Sequence, residues 1–265
     1  MAATQHTFSP CCLKSFAWSG TPAGHESTLA ENSTYITGSS TDAAILFIHD
    51  ALGWRFKNAR LLADHIAKEA NVTVYIPDFF GGETLDPTAI LEERFADIDM
   101  AGFRERNDRA IREKEIFACA TALRSQHGYS KIGTVGYCYG GWGVLRLASR
   151  INGRPPVVDA AVVAHPSWIT NEDWDHVEAP IMVLAPEIDS QFSEEMKAYA
   201  FQKMVVQKKS VPFEYVHLPG VQHGCLSKGR ERLEGEKEAM AKGKDRAVTW
   251  FAEWLSRREK RESPP

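Results

Sequence analysis

The sequence predicts an α/β fold in which helices cover both faces of a mostly parallel central sheet. Three observations predict it. Short apolar runs alternate along the chain with longer segments of helical period, the pattern of repeated strand–helix units. The runs are apolar throughout, as strands covered on both faces are. A chain of 265 residues with 43% hydrophobic content is long enough to bury a substantial core without disulfide staples.

The elements follow in order. "AAILFIH" (Ala43 to His49) reads as a buried strand. "ARLLADHIAKEA" places Leu61, Leu62, Ile66 and Ala70 on one helical face. "VTVYIPD" (Val72 to Asp78) is β-branched and broken at Pro77, so it is a second strand. A helix rich in Arg and Glu spans Asn107 to Gln126. "KIGTVGY" (Lys131 to Tyr137) is the third strong strand, and "GWGVLRLASR" is the helix after it. "VVDAAVVAH", "IMVLAPE" and "FEYVHLP" are three further strands, the last two separated by a helix over Ser193 to Lys208. A charged helix from Arg230 to Arg257 closes the fold, with Leu233, Val248, Phe251, Trp254 and Leu255 as its apolar members. "STYITG" is expected as an antiparallel edge strand. Gly81 to Met100 carries acidic residues and Pro87 with weak periodicity, which fits a lid or a surface loop. Residues 1–258 are expected to form one domain with an irregular segment over 1–35, and 259–265 a disordered tail.

Composition excludes several functions. A net charge of -4 leaves no basic footprint for nucleic acid. No apolar run reaches the ~18 residues of a membrane helix, and "MAATQHTFSPCC" lacks the basic-then-apolar order of a secretory signal. A cytoplasmic protein with no membrane partner is expected. Five cysteines make an odd count for a disulfide framework, so the thiols are expected to be reduced. Cys11, Cys12, His25 and Glu26 lack C-x₂-C or H-E-x-x-H spacing, so neither metal nor cofactor is expected.

Chemistry concentrates in "VGYCYGGWG" (Val135 to Gly143). Gly136-Tyr137-Cys138-Tyr139-Gly140 fits the G-x-S-x-G nucleophile elbow with Cys in the place of Ser. Such an elbow is a sharp strand-to-helix turn that lifts the nucleophile above the sheet, and glycines flank it where a Cβ would clash. The helix that follows brings its positive end towards the sulfur, which favours thiolate. The competing reading is a buried cysteine in a glycine-rich turn. A dinucleotide loop fits poorly, because no G-x-G-x-x-G can be laid on residues 136–143.

A thiol nucleophile needs a base, and the base needs an orienter. Reading on from Cys138 in the order nucleophile, acid, histidine, "VLAPEID" delivers Asp189 and "HLPGVQHG" delivers His223. All three then lie at carboxyl ends of parallel strands, where open sheets build their sites. Glu187 and Asp175 are rival acids. His165, His176 and His217 are rival bases: His165 follows a strand but precedes the acid, His176 lies in a polar loop, and His217 lies inside a strand and is expected to pack. Cys119 and Cys225 carry no partner motif and are expected to pack.

With "HDALGW", "PDFFGGE", "GYCYGGWG" and "VQHG" in this order over residues 30–255, the chain resembles the dienelactone hydrolase family, with an α/β-hydrolase fold. "CC", "GTPAG" and "RLLAD" resemble its fungal branch. The resemblance implies a catalytic Cys138–Asp189–His223 triad. It implies an oxyanion hole from the backbone N–H groups of Tyr139 and Ala51. It also implies an acid that holds the resting thiol, at Asp50, where bacterial members carry glutamate. Bacterial members bind a substrate carboxylate with arginines. One lies just past the histidine, where Lys228 or Arg230 stands here; the other, near residues 94–106, matches no single position. Trp54, Phe79, Phe80 and Trp142 are candidates for an apolar pocket or for core, with Phe79 assigned to core.

The implied activity is hydrolysis of a small-molecule lactone or activated ester through a cysteine acyl-enzyme, with a homodimer left open. Two alternatives stand beside it. One is lactone opening, cyclisation or isomerisation of a polyketide-type metabolite on the same fold. The other is a non-catalytic binding protein on the hydrolase scaffold.

Overall fold

The computed structural model describes residues 20–230 and 233–256. Cys11, Cys12, the expected tail and much of the expected irregular N-terminal segment lie outside the described residues. One sheet of eight strands runs through the molecule: β1 (His25–Leu29), β2 (Asn32–Thr37), β3 (Ala43–Ile48), β4 (Thr73–Pro77), β5 (Lys131–Tyr137), β6 (Ala160–Ala164), β7 (Ile181–Ile188) and β8 (Phe213–Gln222). Their spatial order is β1-β2-β4-β3-β5-β6-β7-β8. β1 pairs with β2, and β2 with β4, antiparallel; every other pairing is parallel.

The helices are α1 (Lys57–Ala70), α2 (Pro87–Leu91), α3 (Met100–Arg106), α4 (Arg109–Ser125), α5 (Gly140–Leu147), α6 (Glu194–Phe201) and α7 (Glu236–Leu255). α1 and α7 cover one face of the sheet, through Leu62, Ile66, Met240 and Phe251. α4 and α5 cover the other, through Ile116, Leu123, Trp142 and Leu145. β3 and β5 are buried along nearly their whole length, which explains their uninterrupted apolar sequence. None of the helices among the described residues is long and apolar enough to cross a membrane.

Three expectations need correction. "STYITG" is antiparallel but is not the edge strand; β1 lies outside it, pairing His25 with Ile36 through Leu29 with Asn32. β1 is four-fifths exposed side chains, so it has no apolar pattern to betray it. Residues 81–100 are not one loop: Asp86 caps α2 and Asp99 caps α3, each accepting a backbone N–H from the first turn. The helix expected over Ser193 to Lys208 is α6 followed by a π-helical turn, Gln202–Gln207.

α7 is docked by shape. A Cβ on Gly133 of β5 would lie 2.8 Å from Phe251 and 2.9 Å from Leu255, so the absence of a side chain there lets the helix settle onto the strand. Phe251 is fully buried in this contact. Phe251→Ala is expected to cost about 3–5 kcal/mol, the range for truncating a buried aromatic, read as a lowered urea midpoint with an unchanged m-value.

Candidate active site

Cys138 sits between β5 and α5 with φ +49°, the left-handed conformation of a nucleophile elbow. The flanking glycines are obligatory. A Cβ on Gly136 would lie 2.4 Å from the carbonyl oxygen of Gly140, and one on Gly140 would lie 2.2 Å from that of Ile48. The turn is closed by hydrogen bonds from Gly141 N–H and Ser167 N–H to the Cys138 carbonyl, each 2.9 Å. Cys138 is partly exposed, whereas the other described cysteines, Cys119 and Cys225, are buried.

Three strand ends converge on the sulfur. Asp189 follows β7 and is buried; its Oδ1 accepts from Gln191 N–H at 2.9 Å, Phe192 N–H at 3.0 Å and His223 Nδ1–H at 2.9 Å. His223 follows β8, close enough to Cys138 for each side chain to shift the other's pKa. The Ser167 hydroxyl, in the loop after β6, lies 3.4 Å from Sγ. Sequence reasoning passed over Ser167, although "HPSW" follows a strand end just as the acid and the base do.

Electrostatics set Cys138 apart. Burial alone would raise its pKa, and Asp50 adds to that, but the charge and hydrogen bond of His223, with help from Ser167, bring it below the ordinary thiol value. Burial alone would depress His223, but the Cys138 charge and the Asp189 hydrogen bond raise it to about 10. Each group thus favours the charged form of the other. Burial pushes Cys119 up to about 12 and raises Cys225 as well, so neither is activated.

The rival residues lie elsewhere. Asp175 is tied to Lys203 and Tyr199, and His176 is exposed. His217, expected to pack, is exposed too. Glu187 accepts the Gly220 N–H on the surface. His165 does enter the site: its ring packs on that of His223, with centroids 4.9 Å apart.

Four expectations are corrected by the contacts. Asp50 makes no hydrogen bond to the thiol among the described residues: Oδ1 accepts Leu52 N–H at 2.8 Å and Oδ2 accepts the Ser227 hydroxyl at 2.6 Å. Trp54 fills the core under α1, with Arg60 over its ring. Trp142 is fully buried on the opposite face, against Tyr139 and beneath Arg109. Arg230 is buried and saturated by Glu236 and Glu93. Phe79 is core, as expected, and Phe80 is core as well.

The residues left to greet a ligand are few. Neither Tyr139 N–H, in the elbow, nor Ala51 N–H, in the loop after β3, is bonded to an acceptor among the described residues. That loop is pinned by His49: Phe79 N–H donates to Nε2 at 3.1 Å, so the proton is on Nδ1, which donates to the Asp50 carbonyl at 2.9 Å. Lys228 folds its chain over Gly224 beside His223 and has no carboxylate partner among the described residues. Of the arginines at 94, 104 and 106, Arg94 and Arg106 are paired with acids. Arg104 instead lies 5.1 Å from the centre of Trp168, whose ring packs on Tyr139 at 4.9 Å. No group of three or more His, Cys, Asp or Glu among the described residues is arranged to hold a metal ion.

The comparison with known proteins decides the family. The dienelactone hydrolase family matches residues 33–255. The chain belongs to that family. Hydrolase tropI of Talaromyces stipitatus is 28% identical over 92% of this chain and 96% of its own length. The carboxymethylenebutenolidase homolog of Mus musculus is 27% identical over 88% of this chain and 91% of its own. Among solved structures, the dienelactone hydrolase of Anabaena variabilis superposes with a TM-score of 0.60 at 18% identity, covering 88% of this chain and 97% of that one. The apo form of Thermogutta terrifontis esterase 2 gives 0.65 at 16% identity, covering 89% and 97%. The architecture is thus that of a dienelactone hydrolase, and membership of the family makes the protein a hydrolase.

The ion pair has a direct readout. Iodoacetamide is expected to alkylate Cys138 with a pH midpoint below that of an ordinary thiol, since its pKa is lowered. Cys119 and Cys225 are expected to resist in the folded protein. His223→Asn is expected to move the midpoint upward, followed by stopped alkylation and mass spectrometry of each thiol.

Proposed function

We propose that this dienelactone hydrolase relative cleaves a lactone or activated ester by covalent acyl transfer, with Cys138 as nucleophile, His223 as acid and base, and Asp189 as orienter. The observation that carries the reading is the thiol on a left-handed elbow, lowered in pKa, facing an imidazole anchored to a buried carboxylate.

In the first half-reaction the Cys138 thiolate adds to the carbonyl carbon, and the negative charge passes to the carbonyl oxygen. The N–H groups of Tyr139 and Ala51 receive that oxyanion. Collapse breaks the carbon–oxygen bond of the ester, and the leaving oxygen takes the proton from the His223 imidazolium. A thioester and a neutral imidazole remain. In the second half-reaction His223 removes a proton from water as its oxygen adds to the thioester. Collapse expels the thiolate, and the acid product departs with thiolate and imidazolium restored. Asp189 holds the proton on Nδ1 throughout, which leaves Nε2 for the transfers.

The thiolate also dictates which substrates turn over. A tetrahedral intermediate expels whichever group leaves more readily. Free cysteine ionises near ~8.5, several units below a simple alcohol, so an alkyl ester tends to revert to substrate. Enol lactones, aryl esters and thioesters carry leaving groups closer to the thiol in basicity. Lys228 in the loop after β8 and Arg104 of α3, neither with a carboxylate partner among the described residues, favour a substrate that also bears a negative charge.

Two experiments test these assignments. Cys138→Ala is expected to abolish hydrolysis while leaving the far-ultraviolet circular dichroism unchanged, and wild-type protein is expected to hydrolyse aryl or enol esters on the order of 100-fold faster in kcat/KM than matched alkyl esters. A ratio near one, or retained activity in the variant, removes the mechanism. Lys228→Met and Arg104→Met are each expected to raise KM about 10-fold for a carboxylate-bearing lactone and to leave a neutral aryl ester unaffected, measured by steady-state kinetics on both substrates.

A further inference from the structure

His165 carries three features that a bare fold would avoid. It is fully buried. Its φ is +35°, a conformation that a residue with a Cβ rarely adopts. Neither ring nitrogen has a hydrogen-bond partner among the described residues, although buried polar atoms are almost always paired. Strain and an orphaned polar group in one residue beside a reactive centre point to a role there.

The geometry indicates that role. The His165 ring meets the His223 ring edge to face, with centroids 4.9 Å apart and planes at 65°. It is backed by the ring of Tyr137, 5.9 Å away. The backbone N–H of His165 is bonded to Leu184 of β7 at 2.9 Å, so the ring is anchored to the strand that also presents Asp189. We propose that His165 is a positioning residue whose uncharged ring walls the His223 imidazole into line between Cys138 and Asp189.

The Nδ1–H hydrogen bond to Asp189 holds the imidazole at one edge, about which it can still pivot. An aromatic ring at packing distance on its flank removes the freedom. An uncharged ring at that distance does not oppose the charged form that the thiolate needs. A charged His165 would repel it. Burial, and then the positive charges of His223, Lys228 and Arg230, hold His165 neutral. Cys138 from the elbow and Asp189 from the end of β7 act on His223, and Asp50 from the end of β3 acts on Cys138. Histidine is also a ring-bearing residue enriched at positive φ, which suits this backbone.

The inference rests on the reading of His223 as the base, and the test separates the two. Wild type, His165→Asn, His165→Phe and His223→Asn are compared by steady-state hydrolysis of an aryl ester, by the pH dependence of the thiolate's ultraviolet absorbance, and by thermal unfolding. Asn tolerates positive φ but removes the ring; Phe keeps the ring and removes the nitrogens. In His165→Asn, kcat is expected to fall between about 10- and 100-fold with KM within about twofold, the cost of a misplaced catalytic group, and the thiolate is expected to form at higher pH. His165→Phe is expected to keep kcat within about threefold of wild type. A folded His165→Asn protein with wild-type kcat and titration overturns the proposal, and so does a folded His165→Phe protein as slow as His165→Asn. Full activity in His223→Asn removes the underlying reading instead, whereas an inactive His223→Asn beside an unimpaired His165→Asn removes only the role of His165.

Discussion

A sulfur enclosed by protein ionises only if a positive charge is delivered to it, and in this molecule the rest of the site exists to make that delivery. Cys119 and Cys225 show the default, since burial raises both. Cys138 goes the other way because an imidazolium faces it. That imidazolium stands on a loop after a different strand, so its placement depends on how the loop is fastened. Asp189 takes its Nδ1–H; Arg230, buried against Glu236, reaches the His223 carbonyl at 3.5 Å; Ser227 ties the same loop to Asp50; and Asn58 of α1 holds the Lys228 carbonyl at 2.9 Å. Four side chains from separate parts of the chain thus fix one histidine.

The strain needed for this arrangement is gathered at one edge of the sheet. Cys138, His165 and Trp168 all have positive φ, and all follow parallel strands at their carboxyl ends. Each is disfavoured locally, and each persists because the strands beneath are buried on both faces and cannot shift. The stability that offsets the strain comes from elsewhere, chiefly from α1 and α7 against one face of the sheet and α4 and α5 against the other. Scaffold and site are therefore separable in energy even though they share residues at the strand ends.

What could be read from the sequence follows from this division. β3, β5 and β7 were legible because burial on both faces leaves an uninterrupted apolar run, and Cys138 and Asp189 were legible because each ends such a run, whereas His223 was legible from its glycine-bounded loop after "HLPGV". β1 was not, since "HESTL" faces solvent and looks like loop. Residues whose place is decided by a distant partner were also misjudged. Asp50 looked available to the thiol until Ser227 was seen on it, and Arg230 looked available to a ligand until Glu93 and Glu236 were seen on it. Trp54 and Trp142 read as pocket or core with equal ease, because an aromatic beside a motif carries no sign of which way it faces. Ser167 and His165 lay in a strand-end loop of their own, and the signal that found the other loops was there as well.

The shorter acid at position 50 changes what that residue does. Its charge acts against the thiolate, raising the Cys138 pKa, so it is no aid to ionisation. It instead joins the loop that presents the Ala51 N–H to the loop that presents His223, through one short hydrogen bond to Ser227. His49 fastens the same loop from the other side, with its tautomer fixed by Phe79. Under the proposed mechanism the oxyanion donor and the proton carrier must keep station with respect to one sulfur through two tetrahedral intermediates. A carboxylate that binds the two loops to each other serves that need better than one that reaches for the thiol, because the thiol already has its counter-ion in His223.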